Sequence, residues 1–184
     1  MYFKSLTVTL ALAGLLAGCG DSSDHVSVIG FNGSRLINGH IGLNDNNVTL
    51  RVDGSPDAVI SAGGDLSIDS RPVTVDTPQR ALLQTYYRDV ASVRDHGIET
   101  GKAGAATAGV ALKSVASGLA NGNTDQIDKQ VNAQADKVKQ SAMKICQDLA
   151  DIQTTQNALA TQLPAFKPYT SIVADSDVRD CRKD

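Results

Sequence analysis

The period of the apolar positions divides the chain into two regions. Before residue 76 the period is two, in short runs. Val48-Thr49-Leu50-Arg51-Val52 alternates apolar and polar until Asp53-Gly54 and Ser55-Pro56 interrupt it. Ala58-Val59-Ile60 follows, then Ala62-Gly63-Gly64-Asp65, Leu66-Ser67-Ile68, Asp69-Ser70 and Val73-Thr74-Val75. Alternating runs separated by Gly, Asp and Ser predict a meander of short strands. Residues 26–29 and 37–43 are expected to add one or two irregular strands around Asn38-Gly39. Five or so short strands with a single apolar face need a second layer to pack on.

That layer begins at Asp76-Thr77-Pro78-Gln79, where Asp76 reads as an N-cap, Gln79 as its N3 partner and Pro78 as a first-turn residue. Apolar or small residues then recur at Leu83, Tyr86, Val90, Val93, Gly97, Gly101, Gly104, Ala108, Ala111, Val115 and Gly118, steps of three and four that mark a helical seam. Asn121-Gly122-Asn123-Thr124 reads as a helix stop followed by a new start. A second seam runs through Val131, Ala135, Val138, Ala142, Ile145, Leu149, Ile152, Gln156, Leu159 and Leu163 without a slip, a sustained heptad with Pro164 at its end. Two helices of about 40 residues joined by a short turn predict an antiparallel hairpin, each helix roughly 60 Å long. The expected fold class is therefore α+β: a small antiparallel β-meander packed on a long, coiled-coil-like two-helix hairpin.

Four glycines break the ideal pattern of the first helix. Gly97, Gly101, Gly104 and Gly109 each cost about 1 kcal/mol relative to Ala in a helix interior. Gly97, Gly101, Ala105 and Gly109 recur every four residues and share one face, which predicts either close approach of the partner helix or a bend that opens a groove. Lys102 lies within the same stretch, and Gly97, Gly101, Lys102, Gly104 and Gly109 form the candidate partner-binding segment. Past Leu163, Pro164 and Pro168 argue against a helix, Phe166 and Tyr169 favour packing back on the domain, and the charged stretch 175–184 reads as a surface strap.

The amino terminus changes the picture. Lys4 is followed by an apolar run from Leu6 to Leu16 that is too short to span a bilayer, then by Leu16-Ala17-Gly18-Cys19 and the polar Gly20-Asp21-Ser22-Ser23-Asp24. This resembles the signal sequence and lipobox of a bacterial lipoprotein. The resemblance implies a signal peptide over 1–18, acylation of Cys19, a flexible tether over 19–25 and one domain over 26–184. Within that domain the meander takes 26–75, the hairpin 76–165 and the strap 166–184. Gly20 after the cysteine, in place of the Asp of an inner-membrane retention signal, favours the periplasmic face of the outer membrane. Lipid attachment of this kind holds a protein at a membrane without a spanning helix.

Removing residues 1–18 from the 184-residue chain leaves 166, with sixteen basic against twenty acidic residues and a net charge of −4. That mildly acidic balance argues against a nucleic-acid partner. With Cys19 consumed by lipid, Cys146 and Cys181 remain to form one disulfide in an oxidising compartment; two free thiols are the alternative. The catalytic inventory is short. His25, His40 and His96 are not spaced with a carboxylate or cysteine as a metal motif requires, and each reads as a polar surface group. No G-x-S-x-G, Walker loop or dinucleotide fingerprint occurs, and Asp65 and Asp69 read as turn formers. The expectation is a protein without catalytic activity, metal or cofactor.

The order Asn47-Val48-Thr49-Leu50, Gly64-Asp65-Leu66-Ser67-Ile68, Val73-Thr74-Val75 and Gln79-Arg80-Ala81-Leu82-Leu83-Gln84-Thr85-Tyr86, with Ile145-Cys146-Gln147-Asp148-Leu149 and Ala165-Phe166-Lys167-Pro168-Tyr169 later, resembles the YggN-like exported proteins of Gram-negative bacteria, a family of unknown function. The resemblance implies a periplasmic location and a strand-plus-long-helix build; the lipobox and Cys181 depart from the family pattern. Together these features point to a lipid-anchored protein that binds another protein, with its oligomeric state open. The preferred reading is an immunity or inhibitor protein against a secreted effector that acts in the periplasm, whose basic surface an acidic binder would steer inward. The alternative is a structural or assembly lipoprotein. A carrier for a hydrophobic ligand ranks last, because three Phe and no Trp provide little lining for a cavity.

Overall fold

The structure is a computed structural model and describes residues 34–37, 40–44, 46–121 and 125–183, with only the backbone of 34, 35, 114–121, 125–128 and 130. Cys19 with its lipobox, the tether, residues 26–29, His25, the Asn38-Gly39 turn and the Gly122–Thr124 turn lie outside the described residues.

Six strands form one antiparallel sheet in sequential order: β1 (Ser34–Leu36), β2 (Ile41–Leu43), β3 (Asn47–Leu50), β4 (Ala58–Ser61), β5 (Leu66–Ile68) and β6 (Arg71–Val73). The two-residue period sorts the side chains into rows across the sheet. Leu43, Val48, Ile60, Leu66 and Val73 are successive partners in one row, and Leu36, Ile41, Leu50, Ala58 and Ile68 in a second. Both rows contribute to the core, whereas Gly42, Thr49, Val59 and Ser67 line up between them on the outer face. The last strand is 71–73, two residues earlier than the expected Val73-Thr74-Val75. Asp69 and Ser70, both at positive φ, form a two-residue turn whose handedness matches the twist of the strands and fixes Ile68 opposite Arg71. Pro72 is tolerated in β6 because this is an edge strand.

Helix α1 (Thr77–Asn121) starts at the expected cap. Asp76 Oδ1 accepts from Gln79 N at 2.8 Å, and Gln79 Oε1 accepts from Asp76 N at 3.0 Å. The amide nitrogen of Gln79 also donates to Gln162 O at 2.8 Å, tying the start of α1 to the end of α2 (Asp125–Gln162). The two helices form the hairpin, and its open end sits on the sheet. Leu83, Tyr86, Val90 and Val93 of α1 and Leu149, Ile152, Leu159 and Leu163 around α2 share one buried cluster with the sheet rows. The sheet docks on α1 through the β4–β5 turn. There Gly64 adopts φ +79°, Gly63 O accepts from Gln84 Nε2 at 3.0 Å, and Asp65 pairs with Arg80. Arg80 holds the Asp65 carboxyl below the usual carboxylate range, with the Ser61 hydroxyl assisting.

The C-terminal stretch is helical where a strap is expected. Pro164–Tyr169 forms a 3-10 turn, with Pro164 at its start where the missing N–H costs nothing, and α3 spans Asp175–Cys181. Asp177 Oδ2 caps α3 by accepting from Ala174 N at 2.8 Å. Phe166 and Tyr169 are buried as expected. Phe166 meets Tyr86 edge-on with centroids 5.7 Å apart, and Tyr169 Oη donates to Pro56 O at 2.6 Å. The seam residue Gln156 is fully buried and serves this segment: its amide nitrogen donates to Thr170 O at 2.6 Å and Val173 O at 3.1 Å, and its oxygen accepts from Val173 N at 3.2 Å. Cys146 and Cys181 form the disulfide, Cα–Cα 5.6 Å, binding α3 to α2. For a loop of 35 residues the chain-entropy model assigns roughly 4 kcal/mol to such a link.

Candidate functional site

Among the residues whose side chains are described, the buried apolar ones of α1 end at Val93, and those of α2 begin at Cys146. Among the described residues of 94–145, Ile145 alone has an apolar side chain packed against the core, so this stretch forms an arm of two paired helices. The 28 residues of α1 from 94 to 121 correspond to about 40 Å of helix. The two exposed large hydrophobic side chains among the described residues both lie on the arm: Leu112, 75% exposed, and Met143, 46%.

Polar contacts take over from apolar packing toward the arm. Asp89 Oδ2 accepts from Thr155 Oγ1 at 3.0 Å, His96 Nδ1 lies 2.6 Å from Asp148 Oδ2, and Lys144 Nζ lies 3.1 Å from Glu99 Oε2. As α1 advances from 89 to 99, α2 runs back from 155 to 144, so three polar rungs hold one antiparallel register. Burial raises the carboxyls of Asp89 and Asp148 above the usual range. The Thr155 hydroxyl opposes this for Asp89, His96 opposes it for Asp148, and Asp151 reinforces it for both. Burial likewise raises the Tyr86 hydroxyl, which has no hydrogen-bond partner among the described residues.

His96 is accordingly more than the polar surface group expected from its sequence neighbours. Its carboxylate partner is 52 residues away, which no local spacing reveals. His40 is occupied differently, with Nδ1 2.9 Å from Arg51 O. Asp69 is a turn residue as expected, whereas Asp65 also anchors the turn to α1 through Arg80.

The candidate glycine segment departs from expectation in two respects. Helix α1 runs unbroken through Gly97, Gly101, Gly104 and Gly109, so no helix break opens a groove there. A Cβ built on Gly101, Gly104 or Gly109 meets nothing within 4 Å, so these residues do not serve close approach of α2. The inward face of the arm continues from Val93 through the half-buried His96, Thr100, Ala103, Thr107 and Val110, while Gly101, Lys102, Ala108 and Gly109 are exposed. In a stretch composed largely of Gly and Ala, apolar periodicity has little contrast, and the facing positions include His and Thr. In α2, Leu149, Ile152, Gln156 and Leu159 of the heptad are buried, Val131, Val138, Ala142 and Ile145 are half-buried, and Ala135 is exposed.

One flank of the arm is recessed. Glu99 and Ala103 of α1 and Lys137, Gln140, Ser141 and Lys144 of α2 line an open groove of about 310 Å³. Among the described residues, no three His, Cys, Asp or Glu side chains come together as a metal ion would require, and no helix is long and apolar enough to cross a membrane. Comparison of the chain with protein-family models, with curated proteins and with solved structures finds no match.

Proposed function

We propose that this chain is a lipid-anchored periplasmic protein without catalytic activity, which works by binding another protein. The partner we assign is a secreted antibacterial effector that it neutralises at the membrane. The observation that carries the reading is the arm. Some 50 residues of paired helix extend past the core, with Leu112 and Met143 left exposed. Helix propensity and a polar ladder do not require that much chain for folding, and long helical faces are a recurring mode of protein recognition. The Leu16-Ala17-Gly18-Cys19 motif supports the anchor, and a Cys146–Cys181 disulfide suits an oxidising compartment.

The ladder also favours a second reading, a structural or assembly lipoprotein of the cell envelope. Polar rungs that hold the helices in one register make the arm a spacer of defined length. The test is affinity capture with the full chain as bait, from an envelope-plus-secreted fraction of the source organism grown alone and in contact competition. A one-to-one partner with hydrolase or pore-forming character, seen under competition, together with loss of resistance when the gene is deleted, is the expected result. A resident envelope protein captured under both conditions replaces it with the structural reading.

A further inference from the structure

We propose that the recessed flank of the arm receives an acidic extended segment of the partner protein, with Lys102, Lys137 and Lys144 as its rim. This rests on the reading that the protein works by binding, and adds the chemistry of what is bound.

The charge of the chain is segregated. Residues 94–145 carry seven cations, six of them Lys, against five acidic residues, a net +2, whereas residues 19–184 as a whole stand at −4. The remainder of that region therefore carries −6. The acidic balance read from composition belongs to the base of the molecule, and the arm has the opposite sign.

Two of the arm's six lysines, Lys137 and Lys144, lie on one flank. Lys137, Gln140, Ser141 and Lys144 recur at steps of three and four along α2 and line the groove together. Glu99 and Ala103 form the opposite wall, and Lys102, three residues past Glu99, lies beside that wall. Lys113 follows three turns later on the Lys102 face. Lys102 and Lys137 pair with no described residue. Lys144 pairs with Glu99, but both side chains of that bridge are about half exposed, so an incoming carboxylate can displace Glu99 at little cost. Gln140 and the buried Ser141 add an amide and a hydroxyl to the lining.

The occupant follows from shape and sign. A groove of about 310 Å³ is at the small end of ligand sites and is open to solvent, which suits a segment of a larger chain more than an enclosed small molecule. A flat anionic bilayer meets Glu99 and the groove walls without entering. A second copy of this chain brings its own lysine flank with it, so arm-to-arm pairing sets like charges together.

The probe is a fluorescently labelled deca-glutamate peptide, titrated into the full chain and followed by anisotropy at low and at 0.3 M salt. Binding is expected, weakened by salt. It should be at least tenfold weaker in K102E/K137E, severalfold tighter in E99Q, which frees Lys144, and unchanged in K167E, an exposed lysine outside the arm. Lys102 and Lys137 are surface residues, so circular dichroism should show an unchanged melt.

Absence of peptide binding overturns the proposal, as does an equal loss in K167E, or no tightening in E99Q. Binding to phosphatidylglycerol vesicles but not to the peptide, lost in K102E/K137E, replaces the acidic segment with a membrane surface. Sedimentation showing a dimer lost in the same variant, without peptide binding, replaces it with a second copy. If the captured partner binds K102E/K137E as well as it binds the natural chain, this inference fails while the binding function stands. Peptide binding that is lost in K102E/K137E, with no effector captured, supports the groove chemistry and removes the effector as its source.

Discussion

Gly64 supports the sharpest prediction about the fold. Its backbone is at φ +79°, a region in which an L side chain costs about 1–2 kcal/mol. A Cβ there also lies 2.5 Å from Arg80 O and 2.8 Å from Gln84 Cγ, contacts that real Cβ atoms do not make. The β4–β5 turn must then lift from α1, adding roughly 1–3 kcal/mol of overpacking and straining the Gln84 to Gly63 hydrogen bond. Gly54 is the matched control: φ +76°, with nothing within 4 Å of its Cβ. Both Gly→Ala changes reduce the freedom of the unfolded chain equally, so that contribution cancels in the comparison. Gly64→Ala should therefore cost about 1–3 kcal/mol more than Gly54→Ala, a lowering of the urea midpoint of roughly 1 M at a typical m-value of ~2 kcal/mol/M. Equilibrium urea unfolding by circular dichroism, with the disulfide intact, measures it. Equal midpoints for the two variants would refute the close docking of the turn on the helix.

Gly101→Ala and Gly104→Ala fill open space on α1 and should each stabilise by up to about 1 kcal/mol through helix propensity, read as a raised thermal midpoint; a lowered midpoint would restore close helix packing at those positions. Gln156→Leu removes three hydrogen bonds and leaves backbone groups of the half-buried Thr170 and the buried Val173 unpaired, so it should destabilise by about 2–4 kcal/mol in urea and raise hydrogen exchange in 164–181 ahead of the sheet. The raised carboxyls of Asp89 and Asp148 bind protons more tightly in the folded state than in the unfolded one. Stability from this source is fully present below the ordinary carboxylate value of 3.8 and is lost as pH rises through their folded values, so the protein should gain stability on acidification from neutrality. The lowered carboxyls of Asp65 and Asp180 impose the opposite slope at more acid pH. Asp89→Asn should flatten the acid-side gain in thermal melts at pH 7 against pH 4, and an unchanged slope would remove Asp89 from that account.

Much of this architecture is legible along the chain because it is local. The capping box at Asp76 and Gln79, the alternating strand cores and the Leu149–Leu159 part of the heptad are set by steps of two, three or four residues. Cysteine parity, with Cys19 set apart, leaves Cys146 and Cys181 as the pair that the structure joins. The same local logic misjudges the arm. Gly, Ala and Thr carry too little hydrophobic contrast to show which face of α1 meets α2. The tail is misjudged because a 3-10 turn accepts the prolines that exclude an α-helix.

The class of the fold, the number of long helices and the start of the first one are all written in the chain, because propensity, capping and periodicity act over a few residues. Three contacts are written nowhere in it and emerge on folding: His96 meets Asp148, Gln156 anchors the C-terminal segment, and Lys137 and Lys144 share a groove with Glu99. Each depends on the register of α2 against α1 or the path of the tail over α2. That register is set by packing summed over the whole hairpin and its sheet, and no single stretch of chain encodes it.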